Sequence, residues 1–196
     1  MPAPFILVGL GNPGPTYAGT RHNVGFDFLD RVAQVLSLKW RSPWFRPLVL
    51  ASSPGVVCVK PHTFMNRSGT VLPYLRSRYE LDSARFCVVV DNMDLPAGEI
   101  RMKSRGGPAG HNGLKSISLA LQTDDYSRLY IGIGRPGRNE GAVEHVLGRF
   151  TEGERTLVDS AIERVVPLME NLAGLSLEKL ISAVNERRRV PERTGP

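Results

Sequence analysis

Two unbroken apolar runs, FILVG at 5–9 and FCVVV at 86–90, constrain this chain more than any other feature. Neither alternates apolar with polar residues, so each reads as a buried strand. Helical spacing follows the first run: Phe28, Leu29, Val32, Ala33 and Leu36 predict a helix over 25–36. Two strands are expected at 46–51 and 55–60, around a Ser-Ser-Pro-Gly turn. Further strands are expected at 85–92, at 98–103 and in the RLYIGIG run. Helices are expected over 67–80, in LKSISLALQ, over 152–173 and over 176–188. In the first of these, Ser68 is the expected N-cap, and Pro73 makes the helix start late or kink. Strands alternating with helices define an α/β protein with a mainly parallel sheet. Ligands of such sheets gather at the carboxyl ends of the strands. Asn12, Asp91 and the loop after Ile133 all follow expected strands, so they converge on one edge of the sheet.

With 196 residues, 41% hydrophobic and 22% charged, the chain suits one domain with a sizeable core. No apolar stretch approaches the roughly 20 residues that span a bilayer. The N-terminus has no basic segment ahead of its short apolar run, so a cytoplasmic location is expected. Cys58 and Cys87 sit in apolar runs and read as reduced core residues without zinc-ligand spacing. The net charge of +6 favours a polyanionic partner such as nucleic acid. The last residues, 186–196, read as a basic, polar tail that frays.

Residues 9–14, GLGNPG, satisfy the glycine pattern of dinucleotide-binding loops. A dinucleotide loop opens directly into a helix whose N-terminus holds the pyrophosphate. Here Pro13 removes a backbone donor and the helix starts only about ten residues later. No acidic residue ends a second strand at the proper distance. The loop is therefore read as a turn that presents Asn12 at a strand end, and binding of NAD is not expected.

Polar residues of an unusual kind stand beside the element ends: Asn12 in GNPG, His22 and Asn23 in TRHNVG, Asn66 in TFMNRSG, His111 and Asn112 in GHNGLK, and Asp91. Singly, each has a structural explanation as a cap or a turn. Together they supply the parts of a hydrolytic site. An imidazole accepts a proton from water near neutral pH. A carboxylate on its other nitrogen fixes the tautomer and stabilises the imidazolium. Carboxamides orient the water and donate to a developing oxyanion. Such a site suits an ester better than an amide, because the ester has the better leaving group. G-x-S-x-G, H-E-x-x-H, C-x-x-C and the P-loop pattern are all absent, which disfavours serine and metal routes. His62 reads as a loop residue and His145 as a surface position in a short helix.

At these residues the sequence resembles the bacterial peptidyl-tRNA hydrolase family. The resemblance rests on YAGTRHNVGFDFLD (17–30) and GPAGHNGLKSI (107–117). GLGNPG, PHTFMNRSG, DNMDLPAGE and YIGIGRPG follow in the family's order, and the likeness covers 5 to about 185. It implies a single, monomeric α/β domain over 1–185, with a twisted mixed sheet flanked by helices on both sides. It implies hydrolysis of the ester between a peptide and the 3′ end of tRNA, with peptidyl-tRNA as partner and no metal or organic cofactor. It makes His22 the base that activates water and Asp91 the group that polarises it. Asn12, Tyr17, Phe64, Asn66, His111 and Asn112 become substrate-binding residues. Residues 136–150 resemble a lid over the cleft. Lys103 matches a lysine that holds tRNA phosphate. Its usual arginine partner is replaced by Tyr130, so Arg128, Arg101 or Arg105 is expected to compensate. Val90 and Asn92 also depart from the family's His-Asp-Glu around Asp91. The alternative reading is a non-catalytic RNA-binding protein of the same fold, which predicts an eroded site.

Overall fold

The computed structural model describes residues 3–172 and 174–187. Its centre is a sheet of six strands: β1 (Phe5–Gly9), β2 (Leu48–Ser53), β3 (Val56–Pro61), β4 (Phe86–Asn92), β5 (Ile100–Lys103) and β6 (Ser127–Gly132). Their order is β2-β3-β1-β4-β6-β5. The four central strands are parallel, while β2 and β5 run antiparallel at the two edges. The sheet is thus mixed and mainly parallel. The helices are α1 (Val24–Val35), α2 (Leu72–Arg78), α3 (Asn112–Leu121), α4 (Ala142–Leu147), α5 (Glu152–Val165) and α6 (Leu177–Glu186).

The unbroken apolar runs exist because β1 and β4 are buried on both faces. Phe5, Leu7, Cys87 and Val89 pack on one side with Phe28 of α1 and Val158 of α5. Ile6, Val8, Val88 and Val90 pack on the other with Leu72 of α2 and Leu114 of α3. Cys58 and Cys87 pair in register with Leu7 from either side and are free, buried thiols. Burial pushes both up to about 12, so they stay protonated and inert.

Some expectations need correction. The helix expected over 67–80 is a 3₁₀ segment, Met65–Val71, followed by the shorter α2. Ser68 does not cap it; its hydroxyl donates to the Met65 carbonyl at 2.8 Å. Pro73 lies in the first turn of α2, where its fixed φ suits the helix. The helix expected over 152–173 ends at Val165 and tightens into a 3₁₀ segment, Val166–Asn171, at Pro167. β2 starts two residues later than expected, because 42–47 loops out between Arg41 and Leu50, which bridge each other. His145, expected at the surface, is 2% exposed. Its ring faces Glu140 Oε2 at 3.1 Å and the Gly134 carbonyl at 3.0 Å. The tail reading for 188–196 lies outside the described residues.

α1 rides unusually close to the sheet. A Cβ on Gly25 would lie 2.6 Å from the carbonyl oxygens of both Leu10 and Val89. These are backbone atoms and have no rotamer to escape into. Gly25→Ala is therefore expected to cost at least about 1–3 kcal/mol, read as a lower urea midpoint at unchanged slope. An unchanged midpoint would show that α1 has room to stand off.

Candidate active site

β1 and β4 end side by side, and Leu10 continues their pairing by donating to the Val89 carbonyl at 2.9 Å. Asn12 follows this extension. Its backbone N–H donates to Asn23 Oδ1 at 2.9 Å, and Asn23 Nδ2 donates to its carbonyl at 2.9 Å. Asn12 Oδ1 accepts from the Met65 N–H at 2.8 Å. With its oxygen held this way, the Asn12 amide is oriented so that its NH₂ is the free end.

His22 sits on a 3₁₀ turn, Arg21–Asn23, that leads into α1. Arg21 clamps this turn to the segment after α4. Its guanidinium donates to Glu154 at 2.8 Å and to the His145 carbonyl at 3.3 Å, and it lies over the Phe150 ring. His22 Nδ1 faces Asp91 Oδ1 at 3.0 Å and Oδ2 at 3.1 Å. His111 Nε2 faces the same Oδ1 at 3.0 Å.

The tautomers follow from the partners. His111 caps α3, its Nδ1 accepting from the Gly113 and Leu114 N–H groups at 3.1 and 3.3 Å. Nδ1 is therefore an acceptor and Nε2 carries the proton that is donated to Asp91. An ionised carboxylate only accepts, so His22 donates from Nδ1 and leaves Nε2 without a proton. Nε2 has no protein partner among the described residues. Asp91 is 5% exposed. Burial pushes its carboxyl upward, but the charge and hydrogen bond of His111, and then those of His22, prevail and hold it well below the usual carboxylate range.

His22, Asp91 and His111 line one cavity of about 380 Å³ with Asn12, Asn112 and Tyr130. Val143 and Leu147 of α4 form its apolar side. The same three ionisable residues are the set among the described residues that could hold a metal. A cation there would have to displace both N–H···O bonds to Asp91, so the donor set fits proton handling better.

The other expected site residues distribute as follows. Tyr17 and Phe64 meet edge to face at 6.4 Å, outside the cavity wall, with Phe64 58% exposed. Asn66 is exposed, and its neighbour Met65 lines the cavity instead. Lys103 is exposed on β5. Arg128 needs correction. It is 0% exposed, donates to the Asp124 and Tyr126 carbonyls, and stacks on Tyr126 at 3.8 Å. It has no surface to offer a phosphate. Its neighbour two positions on, Tyr130, pairs in register with the exposed Arg101. Sequence reasoning singled out Asn23 as one of the polar set but missed that it fixes Asn12, and it missed Arg21 as the residue that fixes His22. A charged residue within TRHN, next to a site histidine, was the signal for the latter.

An oriented imidazole with one open nitrogen, flanked by carboxamides at the carboxyl ends of parallel strands, has the parts that a water-activating hydrolase requires. The sequence model of one such family, peptidyl-tRNA hydrolase, matches residues 6–192. The peptidyl-tRNA hydrolase of Bacillus subtilis is 39% identical over 93% of this chain and 97% of its own length. That of Persephonella marina is 37% identical over 92% and 97%. A crystal structure of peptidyl-tRNA hydrolase with N-propanol superposes with a TM-score of 0.87 at 32% identity, covering 95% of this chain and 97% of that one. The Acinetobacter baumannii enzyme gives 0.85 at 33% identity, covering 93% and 94%. This chain belongs to the peptidyl-tRNA hydrolase family.

Because Asp91 is depressed in the fold, it stabilises the protein at neutral pH. That contribution drains away as pH falls below about 4, where an unfolded carboxyl takes up its proton. Asp91→Asn is expected to flatten this part of the acid limb of a Tm-against-pH curve. An acid limb identical to that of wild type would mean that Asp91 is not held ionised by the two imidazoles.

Proposed function

We propose that this protein hydrolyses the ester joining a peptide, or an N-blocked aminoacyl group, to the 3′ end of tRNA, freeing tRNA for reuse in translation. Family membership supports the reaction. The observation that carries the mechanism is the open Nε2 of His22, aimed by Asp91 into the cavity. Water beside Nε2 gives up a proton to it while its oxygen attacks the ester carbonyl. Asp91 stabilises the imidazolium that forms. The NH₂ groups of Asn12 and Asn112 donate to the tetrahedral oxyanion. Collapse breaks the bond to the ribose 3′ oxygen, which takes the proton from His22 Nε2. The peptide leaves as a carboxylic acid, which gives its remaining proton to solvent and becomes a carboxylate, and tRNA leaves with a free hydroxyl. His111 is a positioning residue, since it touches Asp91 rather than the reacting atoms.

Tyr17, Phe64 and Asn66 meet the substrate outside the cavity. Lys103 and Arg101, on one face of the edge strand β5, take tRNA phosphate in place of Arg128. The protein acts as a monomer in the cytoplasm, without metal or organic cofactor. Among the described residues, no helix is long and apolar enough to cross a membrane.

The test is release of free tRNA from N-acetyl-aminoacyl-tRNA, with unblocked aminoacyl-tRNA as control. Wild type cleaves the blocked substrate only. His22→Ala loses about 10²–10⁴-fold in kcat and binds tRNA within about twofold of wild type; near-normal turnover would remove His22 from the chemistry. Lys103→Ala raises KM more at low salt than at high salt, because a phosphate contact is screened. A KM unchanged at both salt concentrations would exclude that contact.

A further inference from the structure

The positive charge of this chain is concentrated in one stretch. Between Asp30 and Glu80 there are eight Lys and Arg residues and no acid, so the rest of the chain carries more acid than base. Two of the eight are neutralised, Lys60 by Asp30 and Arg31 by Glu163. The other six, Lys39, Arg41, Arg46, Arg67, Arg76 and Arg78, are exposed. Among the described residues none of the six is paired with a carboxylate.

Inside this stretch the loop 42–47 holds two aromatic rings out into solvent. Trp44 is 85% exposed and Phe45 91%. Their rings stack on each other, 5.4 Å apart and 16° from parallel. The loop is fastened at both ends: Arg41 and Leu50 exchange backbone hydrogen bonds, and the His62 N–H donates to the Pro47 carbonyl at 2.7 Å. Phe45 has a φ of 55°, a conformation unfavourable for a large side chain. Arg46 turns back over the ring of Tyr74 on α2, and Arg78 follows Tyr74 by one helical turn. The loop is also at the sheet end that carries the site. Leu48 pairs with Pro61, and Phe45 and Phe64 each lie three residues beyond that pair.

We propose that Trp44 and Phe45 form a stacking platform for an unpaired base of the tRNA substrate, with Arg41, Arg46 and the neighbouring cations holding the phosphates beside it. This rests on the reading of tRNA as substrate. Exposed aromatic faces interleaved with unpaired cations are what single-stranded nucleic acid binds: stacking tolerates any base, and the charge tracks the backbone. A peptide occupant is the weaker match, because a groove for apolar side chains gains nothing from six uncompensated cations. The platform lies at the β2 edge, and Arg101 and Lys103 lie at the opposite, β5 edge. RNA is thereby held on both sides of the catalytic cavity.

Filter binding of deacylated tRNA to the full chain tests this at two or more salt concentrations. Trp44→Ala with Phe45→Ala is expected to raise Kd about tenfold, the loss of one base–aromatic stack. Arg41→Gln with Arg46→Gln is expected to raise Kd and to lower the slope of log Kd against log salt by about 1–2. Both pairs are surface changes, checked by an unchanged Tm, and both keep wild-type kcat on saturating N-acetyl-aminoacyl-tRNA. Kd values within twofold of wild type overturn the platform. So does normal tRNA binding combined with a raised KM confined to long peptidyl substrates, which would assign the rings to the peptide. A wild type that binds deacylated tRNA yet releases none from N-acetyl-aminoacyl-tRNA refutes the hydrolase reading alone, and the Kd comparison still decides the platform.

Discussion

One carboxylate, Asp91, holds the chemistry together. It is buried at the end of the most apolar strand, and two imidazoles donate to it. A buried carboxylate left alone would take up a proton rather than remain charged. The two N–H donors reverse that outcome. In return Asp91 decides which nitrogen of His22 is open. His111 cannot replace His22 in this arrangement, because its second nitrogen is already occupied by the N–H groups that begin α3. Two histidines around one carboxylate thus have different duties, set by what each ring's far nitrogen meets.

That geometry depends on how closely α1 lies on the sheet. His22 and Asn23 immediately precede α1, so their reach to Asp91 and Asn12 is set by the helix's height. Gly9 and Gly25 permit the approach, since a Cβ on Gly9 would collide with the Gly25 carbonyl. Arg21 fixes the remaining freedom from the other side through Glu154 and Phe150. Sequence-distant segments, including the start of α5, therefore converge on the orientation of one ring.

The fold class was legible because hydrophobic pattern and burial are two views of one fact. β1 and β4 are apolar throughout since both their faces are covered. The site was legible as a set of residue types at strand ends, since the topology brings parallel strand ends together. What the sequence hid was orientation and depth. Arg128 carries the charge a phosphate contact needs, yet its guanidinium is buried, stacked on Tyr126 and donating from Nη1 to two backbone carbonyls. His145 sits in a helix too short to show a buried face by periodicity. Asn66 and Met65 are adjacent, and only backbone geometry settles which faces the cavity. The helix breaks at Pro73 and Pro167 were signalled, but where each element ends was decided by packing.

The distribution of charge has its own logic. A basic protein that meets a polyanion would be expected to line its catalytic cleft with Lys and Arg, yet among the described residues none lines this cavity. In the proposed reaction His22 becomes an imidazolium while water is split. A cation at that distance in a poorly solvated cleft would raise the energy of this intermediate by Coulomb repulsion. Tyr130 supplies a neutral wall at the position where the family resemblance leads one to expect Arg. Exposed cations stand instead at the two edges of the sheet, on β5 and around β2. On the proposed reading they attract phosphate there without opposing the base, and neutral amides complete the oxyanion site inside. Under the proposed mechanism, separating attraction from chemistry in this way lets one small sheet hold an anionic substrate and still generate a positive charge at its centre.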